Sequence, residues 1–141
     1  MATTSLGFRP DADRHLPLIA ILLSEPEAPR MQEAIAADPA RLVAAPSIVE
    51  AAAVILTRKD PQREAALTEL LNRLDLSVVA MSSNAAALAR AGYLRFGKGV
   101  GSPGVLNLGD CLAYGVAMDL GQPLLFKGND FSRTDVSSAA Y

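Results

Sequence analysis

Short apolar runs of strand length alternating with amphipathic helical segments predict an α/β fold, an α/β/α sandwich in a single domain built on a short parallel sheet. Three observations carry that expectation. A length of 141 residues suits one domain and leaves little room for a second. Half of the residues are apolar, so a sizeable core can form. Aromatics are scarce, 5% with no Trp, and Ala, Leu, Val and Ile supply most of the core; that mixture favours helices on a buried sheet over an all-β sandwich.

The elements follow in order. Residues 1–15 are polar and aperiodic, with Arg9-Pro10-Asp11 breaking any helix, and read as an irregular segment ahead of a domain over 16–141. Leu18, Ile19, Leu22 and Leu23 open a short helix that stops near Ser24-Glu25-Pro26. Residues 27–37 read as a second helix, with Met31, Ala34 and Ile35 inward and Arg30 and Glu33 outward. Residues 42–45 form a buried strand ended by Pro46, after which Ser47 caps a helix with Ile48, Ala51, Ala52 and Ile55 on its apolar face. Asp60-Pro61 opens the next helix as an N-cap followed by proline at the first helical position; Ala65, Leu67, Leu70, Leu71 and Leu74 face inward. A strand over 76–81, a helix over 84–96 and a glycine-rich loop over 97–104 come next. A helix over 107–120 ends at Gly121 in the C′ manner, and a strand over 123–126 leads into a polar loop over 127–134.

Composition excludes several classes. A net charge of −2 gives no general pull towards polyanions, so a nucleic-acid partner requires a local basic patch. The single cysteine, Cys111, rules out an internal disulfide framework and a cysteine-rich zinc site. No apolar run approaches the ~20 residues of a spanning helix, and the start lacks the layout of a secretory signal. The expected location is the cytoplasm.

The chemistry rests on carboxylates. Glu50 lies three residues after Ser47, and Asp110 three after Asn107. Each can close a capping box or meet the positive end of its helix dipole. The same placement lets both enter one site from two helix N-termini, where the dipole favours the ionised form that a hard divalent cation requires. A carboxylate has lone pairs enough for both tasks. Asp130, in Lys127-Gly128-Asn129-Asp130-Phe131, reads either as turn chemistry or as a third carboxylate just beyond a strand's C-terminal end. Asp135 is a weaker candidate of the same kind.

These residues carry a resemblance. Leu106-Asn107-Leu108-Gly109-Asp110-Cys111-Leu112-Ala113-Tyr114-Gly115 resembles the signature helix of VapC-type PIN-domain ribonucleases. Gln122-Pro123-Leu124-Leu125-Phe126-Lys127-Gly128-Asn129-Asp130-Phe131, followed by Thr134-Asp135, is similar to their C-terminal strand and loop. Ala45-Pro46-Ser47-Ile48-Val49-Glu50 matches their second acidic motif, and residues 18–28 resemble the helix after their first strand. The resemblance implies a metal-dependent endoribonuclease, the toxin of a toxin–antitoxin pair, with magnesium or manganese on an acidic cluster. Glu50, Asp110 and Asp130 fall on the family's acids. It further implies a homodimer and a cognate antitoxin that blocks the pocket. A catalytically silent module that binds antitoxin or RNA is the rival reading; a DNA-directed or structure-specific nuclease is the third.

One departure bears on activity. The family begins with a strand ending in Asp, within Val/Ile-Asp-Thr/Ser-Ser, and a gapless match puts Arg14 on that Asp. Arginine cannot ligate a cation and opposes its binding. Asp13 is one position away, but a one-residue shift turns a strand side chain to the other face. Codons exist for residues 11–16, GAT-GCN-GAT-CGA-CAC-CTC, that read from the second base as Met-x-Ile-Asp-Thr and the start of a serine codon. A one-base frame error near Pro17 would therefore join a misread N-terminus to the body of the chain.

Other signals are set aside. The run 97–104 lacks the G-x-x-x-x-G-K-[ST] order of a phosphate loop. Arg90, Tyr93, Arg95, Phe96 and Lys98 mix basic and aromatic groups that can track an RNA backbone, equally a solvated helix end or an antitoxin contact. Cys111 reads as a small buried residue, since a reactive thiol needs an electropositive setting. His15 has no catalytic part in a metal-dependent scheme.

Overall fold

Where Leu42-Val43-Ala44 runs into Ala45-Pro46, the backbone passes from strand to helix with no loop between. The computed structural model describes residues 16–58, 60–125 and 131–141. In it β1 (Leu42–Ala44) is followed at once by α3 (Ala45–Thr57), with Pro46 in the first turn and no side chain capping the start. The expectation that Pro46 ends a strand and Ser47 caps the helix is corrected here. Proline's fixed φ suits a first helical turn, so Pro46 opens the helix earlier than a side-chain cap would.

Before β1 come α1 (Pro17–Leu22) and α2 (Ala28–Ala37), and after α3 comes α4 (Pro61–Arg73). Asp60 caps α4 as expected, its carboxylate accepting the Arg63 N–H at 3.0 Å. Next is β2 (Ser77–Val79), which pairs in parallel with β1 and puts Leu42, Val43 and Ala44 opposite Ser77, Val78 and Val79. Helices α1 to α4 bury Ile19, Met31, Ala51, Ile55, Leu67 and Leu70 in one apolar cluster. The Ile, Met and Leu side chains among them each contribute about 1.5–3 kcal/mol.

The second half is a helix pair. Ser82 caps α5 (Ser83–Phe96) through the Ala85 N–H, and Asn107 caps α6 (Leu108–Leu120), which ends at Gly121 with φ 62°. The two helices approach closely because Gly115 has no side chain: a Cβ there would meet the Ala85 carbonyl and Ala89. Ser82 Oγ and Asn84 Nδ2 donate to the two oxygens of Asp119 at 2.8 and 2.6 Å, tying the start of α5 to the end of α6. A second apolar cluster, with Phe96, Leu106, Cys111, Tyr114, Phe131 and Val136, holds the C-terminal segment against this pair.

Both regular strands are shorter than the sequence suggests, and β1 is not the buried strand expected. Leu42 is exposed and Val43 and Ala44 are half-buried, because a two-stranded sheet leaves β1 without a second neighbour among the described residues. Of the expected strand over 123–126, the described part makes one bridge, Leu124 with Ser138. The run 97–104 is a loop as expected, folded back by Ser102 N–H to the Arg95 carbonyl at 3.1 Å and Lys98 N–H to that of Leu106 at 2.7 Å. Among the described residues no helix is long and apolar enough to cross a membrane.

Candidate active site

A cavity of about 360 Å3 lies beside β1, and Glu50, Gly109 and Asp110 all line it. Leu42, Val43 and Ala44 form one part of its wall and Leu124 and Leu125 another; Leu16 and Pro17, at the start of the described chain, also border it. Fold and cavity thus bring together two of the carboxylates singled out from the sequence, 60 positions apart. The third, Asp130, lies outside the described residues, as do Asp13, Arg14 and His15.

Asp110 is held by its own helix. Asn107 Oδ1 accepts the Asp110 N–H at 2.8 Å, and Asp110 Oδ2 accepts the Asn107 N–H at 3.0 Å, a reciprocal capping box. The residue is 3% exposed, so this box fixes the carboxylate's direction in a setting where few rotamers fit. Asparagine at the cap and aspartate three residues on make that arrangement a local consequence of sequence.

Glu50 arrives differently. Because α3 starts at Ala45, Glu50 lies beyond its first turn, which holds no acid. The expected capping box with Ser47 does not form. Instead the side chain reaches α6: a Cβ built on Gly109 would fall on the Glu50 carboxylate. The positive helix end that Glu50 meets is that of α6, not its own.

Asp135 sits elsewhere. It accepts from Tyr114 and Arg95 and is not among the residues lining the cavity. Sequence reading missed this triangle, since nothing in the spacing of Arg95, Tyr114 and Asp135 announces a contact. It also withdraws Arg95 from the basic and aromatic set around residue 93: its guanidinium is ion-paired and lies 4.6 Å over the Phe96 ring, and Phe96 is buried. Cys111 is buried as expected, and burial first, then the charge of Asp110, pushes its thiol up to about 12.

Glu50 and Asp110 offer oxygen donors only, the chemistry of a hard cation. Among the described residues no group of three or more His, Cys, Asp or Glu is placed to hold a metal. Two carboxylates still fit magnesium, which commonly uses one or two and fills its remaining positions with water and substrate phosphate.

A sheet-and-helix fold with paired acids at one cavity defines a class, and comparison with known proteins agrees: residues 17–137 match the model of the PIN domain. The chain is 43% identical over 123 residues to Ribonuclease VapC30 of Mycobacterium tuberculosis, covering 87% of this chain and 93% of that protein. It is 42% identical over 122 residues to Ribonuclease VapC28 of the same organism (86% and 92%), and 42% identical over 121 residues to Ribonuclease VapC of Mycolicibacterium smegmatis (86% and 93%). The chain belongs to the PIN-domain family, and within it to the VapC type.

Proposed function

We propose that this chain is the ribonuclease toxin of a toxin–antitoxin pair, hydrolysing RNA phosphodiesters with magnesium or manganese held by Glu50, Asp110 and Asp130. The observation that carries the reading is the meeting of Glu50 and Asp110 at one cavity, from two helices that share no local sequence. When bound, the cation would activate water and neutralise charge building on the phosphate. The residues' own work is to bind and orient. The Asn107–Asp110 box presents one carboxylate, and Glu50 brings a second across the start of α6. Hydrolysis then forms one phosphorus–oxygen bond from water and breaks the one to the leaving strand.

The relatives' name, ribonuclease, supports an RNA substrate, and a cognate antitoxin is what the resemblance of the motifs implies. Exposed Leu94, Val100 and Leu108, which border one surface hollow with Tyr93 and Leu112, supply apolar area suited to a homodimer or antitoxin contact. The site of action in this reading is the cytoplasm. Incubating the chain with RNA and manganese, with a chelator control, tests it; no chelator-sensitive cleavage by a folded, N-terminally repaired chain overturns it.

Arg14 favours a second reading. With a guanidinium on the family's first ligand position, the chain as written is a silent module that binds antitoxin or RNA. A frame error near Pro17 reconciles the two readings, the active form beginning with a strand that ends in Asp.

A further inference from the structure

We infer that Gly109 is a positioning residue for Glu50: the side chain missing at the second position of α6 is the space in which the Glu50 carboxylate lies. The inference rests on the metal reading of Glu50 and Asp110 given above. For a Cβ on Gly109, the three nearest heavy atoms are Oε2, Cδ and Oε1 of Glu50, and no backbone or core atom ranks among them. The two other glycines within α5 and α6 behave otherwise, Gly92 making room for the Tyr114 ring and Gly115 for Ala85 and Ala89. Gly109 is described without a left-handed φ, so its backbone does not demand glycine. Alanine is also the better helix former. Helix geometry therefore asks for no glycine here, and the atoms nearest the missing side chain all belong to Glu50.

Gly109→Ala separates the two roles because stability and metal affinity should move apart. The melting temperature is expected to stay level or rise. Manganese affinity, read by paramagnetic broadening of the 107–110 amides in the N-terminally repaired full-length chain, is expected to fall by about tenfold or more, the scale of losing a residue that orients a ligand. A crystal structure of the variant should show the Glu50 carboxylate swung away from α6. In a Glu50→Asp background, where the carboxylate is one methylene shorter, Gly109→Ala should cost little, giving a non-additive cycle. The inference is overturned if Glu50 keeps its place in the Gly109→Ala crystal. It is equally overturned if manganese binds that variant like the parent while Glu50→Gln weakens binding, or if the cycle is additive. Broadening that is identical in the parent, Glu50→Gln and Asp110→Asn defeats the metal reading instead, and the Glu50 position in the crystal then decides the role of Gly109 alone.

Discussion

The Tyr114 hydroxyl donates a 2.7 Å hydrogen bond to Asp135 Oδ1, while Arg95 Nη1 sits 2.8 Å from Oδ2 of the same carboxylate. Helices α5 and α6 are thereby pinned to the C-terminal segment through one acid. Burial pulls the Asp135 pKa up, but the Tyr114 and Arg95 hydrogen bonds and the Arg95 charge outweigh it and hold the group below the usual carboxylate range. Burial first, then the bond to Asp135, pushes the Tyr114 hydroxyl up to about 12.

A carboxyl whose pKa is lower folded than unfolded stabilises above its unfolded value, and that stability is lost as pH falls through the folded one. Asp135→Asn should thus cost about 1 kcal/mol at pH 7, the low end for losing a hydrogen-bond partner because the Asp135 side chain is 39% exposed. The cost should shrink below about pH 4. Urea unfolding of both proteins at pH 7 and at acid pH checks this; an equal difference at both would defeat it.

Asp110→Asn removes a charge while keeping an oxygen able to accept the Asn107 N–H. Stability should change by no more than about 1 kcal/mol, the scale of a charge at a helix N-terminus. In a repaired, active chain, RNA cleavage should drop by roughly 100-fold or more, beyond the loss seen for an outer-shell partner. Glu50→Gln should lose activity likewise, and with no capping penalty, since Glu50 takes no part in a cap of α3. A variant of either kind that cleaves at the parental rate removes that residue from the site.

At the N-terminus the expected effect is larger. Charges a few ångströms apart interact at ~4 kcal/mol at an effective dielectric near 20, so arginine in place of a carboxylate should weaken cation binding by several kcal/mol. The chain as written should show little or no cleavage at millimolar magnesium. Replacing residues 1–17 with Met-x-Ile-Asp-Thr-Ser-Ala should restore it, the new strand entering where Leu16 and Pro17 border the cavity. Full activity of the unrepaired chain refutes this account of Arg14, and sequencing the gene tests the frame error directly.

Cys111 should resist alkylation at pH 8.5 in the folded protein. With a pKa of about 12 it holds more than about 10³-fold less thiolate than a free cysteine near half ionisation at that pH. Because burial outranks the charge of Asp110, Asp110→Asn should leave that protection nearly intact. Iodoacetamide labelling that precedes unfolding would contradict it.

Local sequence determined what local forces govern. The caps at Asp60 and Asn107, the stop at Gly121 and most of the apolar helix faces follow from neighbours within a turn, and the structure matches them, except that Ala65, expected inward on α4, is exposed. The capping box of Asp110 was legible for that reason, and the family motif around it made Glu50 legible too. Tertiary structure decided the rest. Whether Glu50 serves its own helix or another depends on how α3 packs against α6, a contact that no spacing of residues encodes. The same holds for the use of Gly109, visible only once Glu50 is laid across it, and for Asp135, whose choice of Tyr114 and Arg95 over the cavity follows from where the C-terminal segment crosses the helix pair. Strand lengths shortened for a related reason: pairing needs a partner edge in register, and apolar sequence supplies the strand but not the partner.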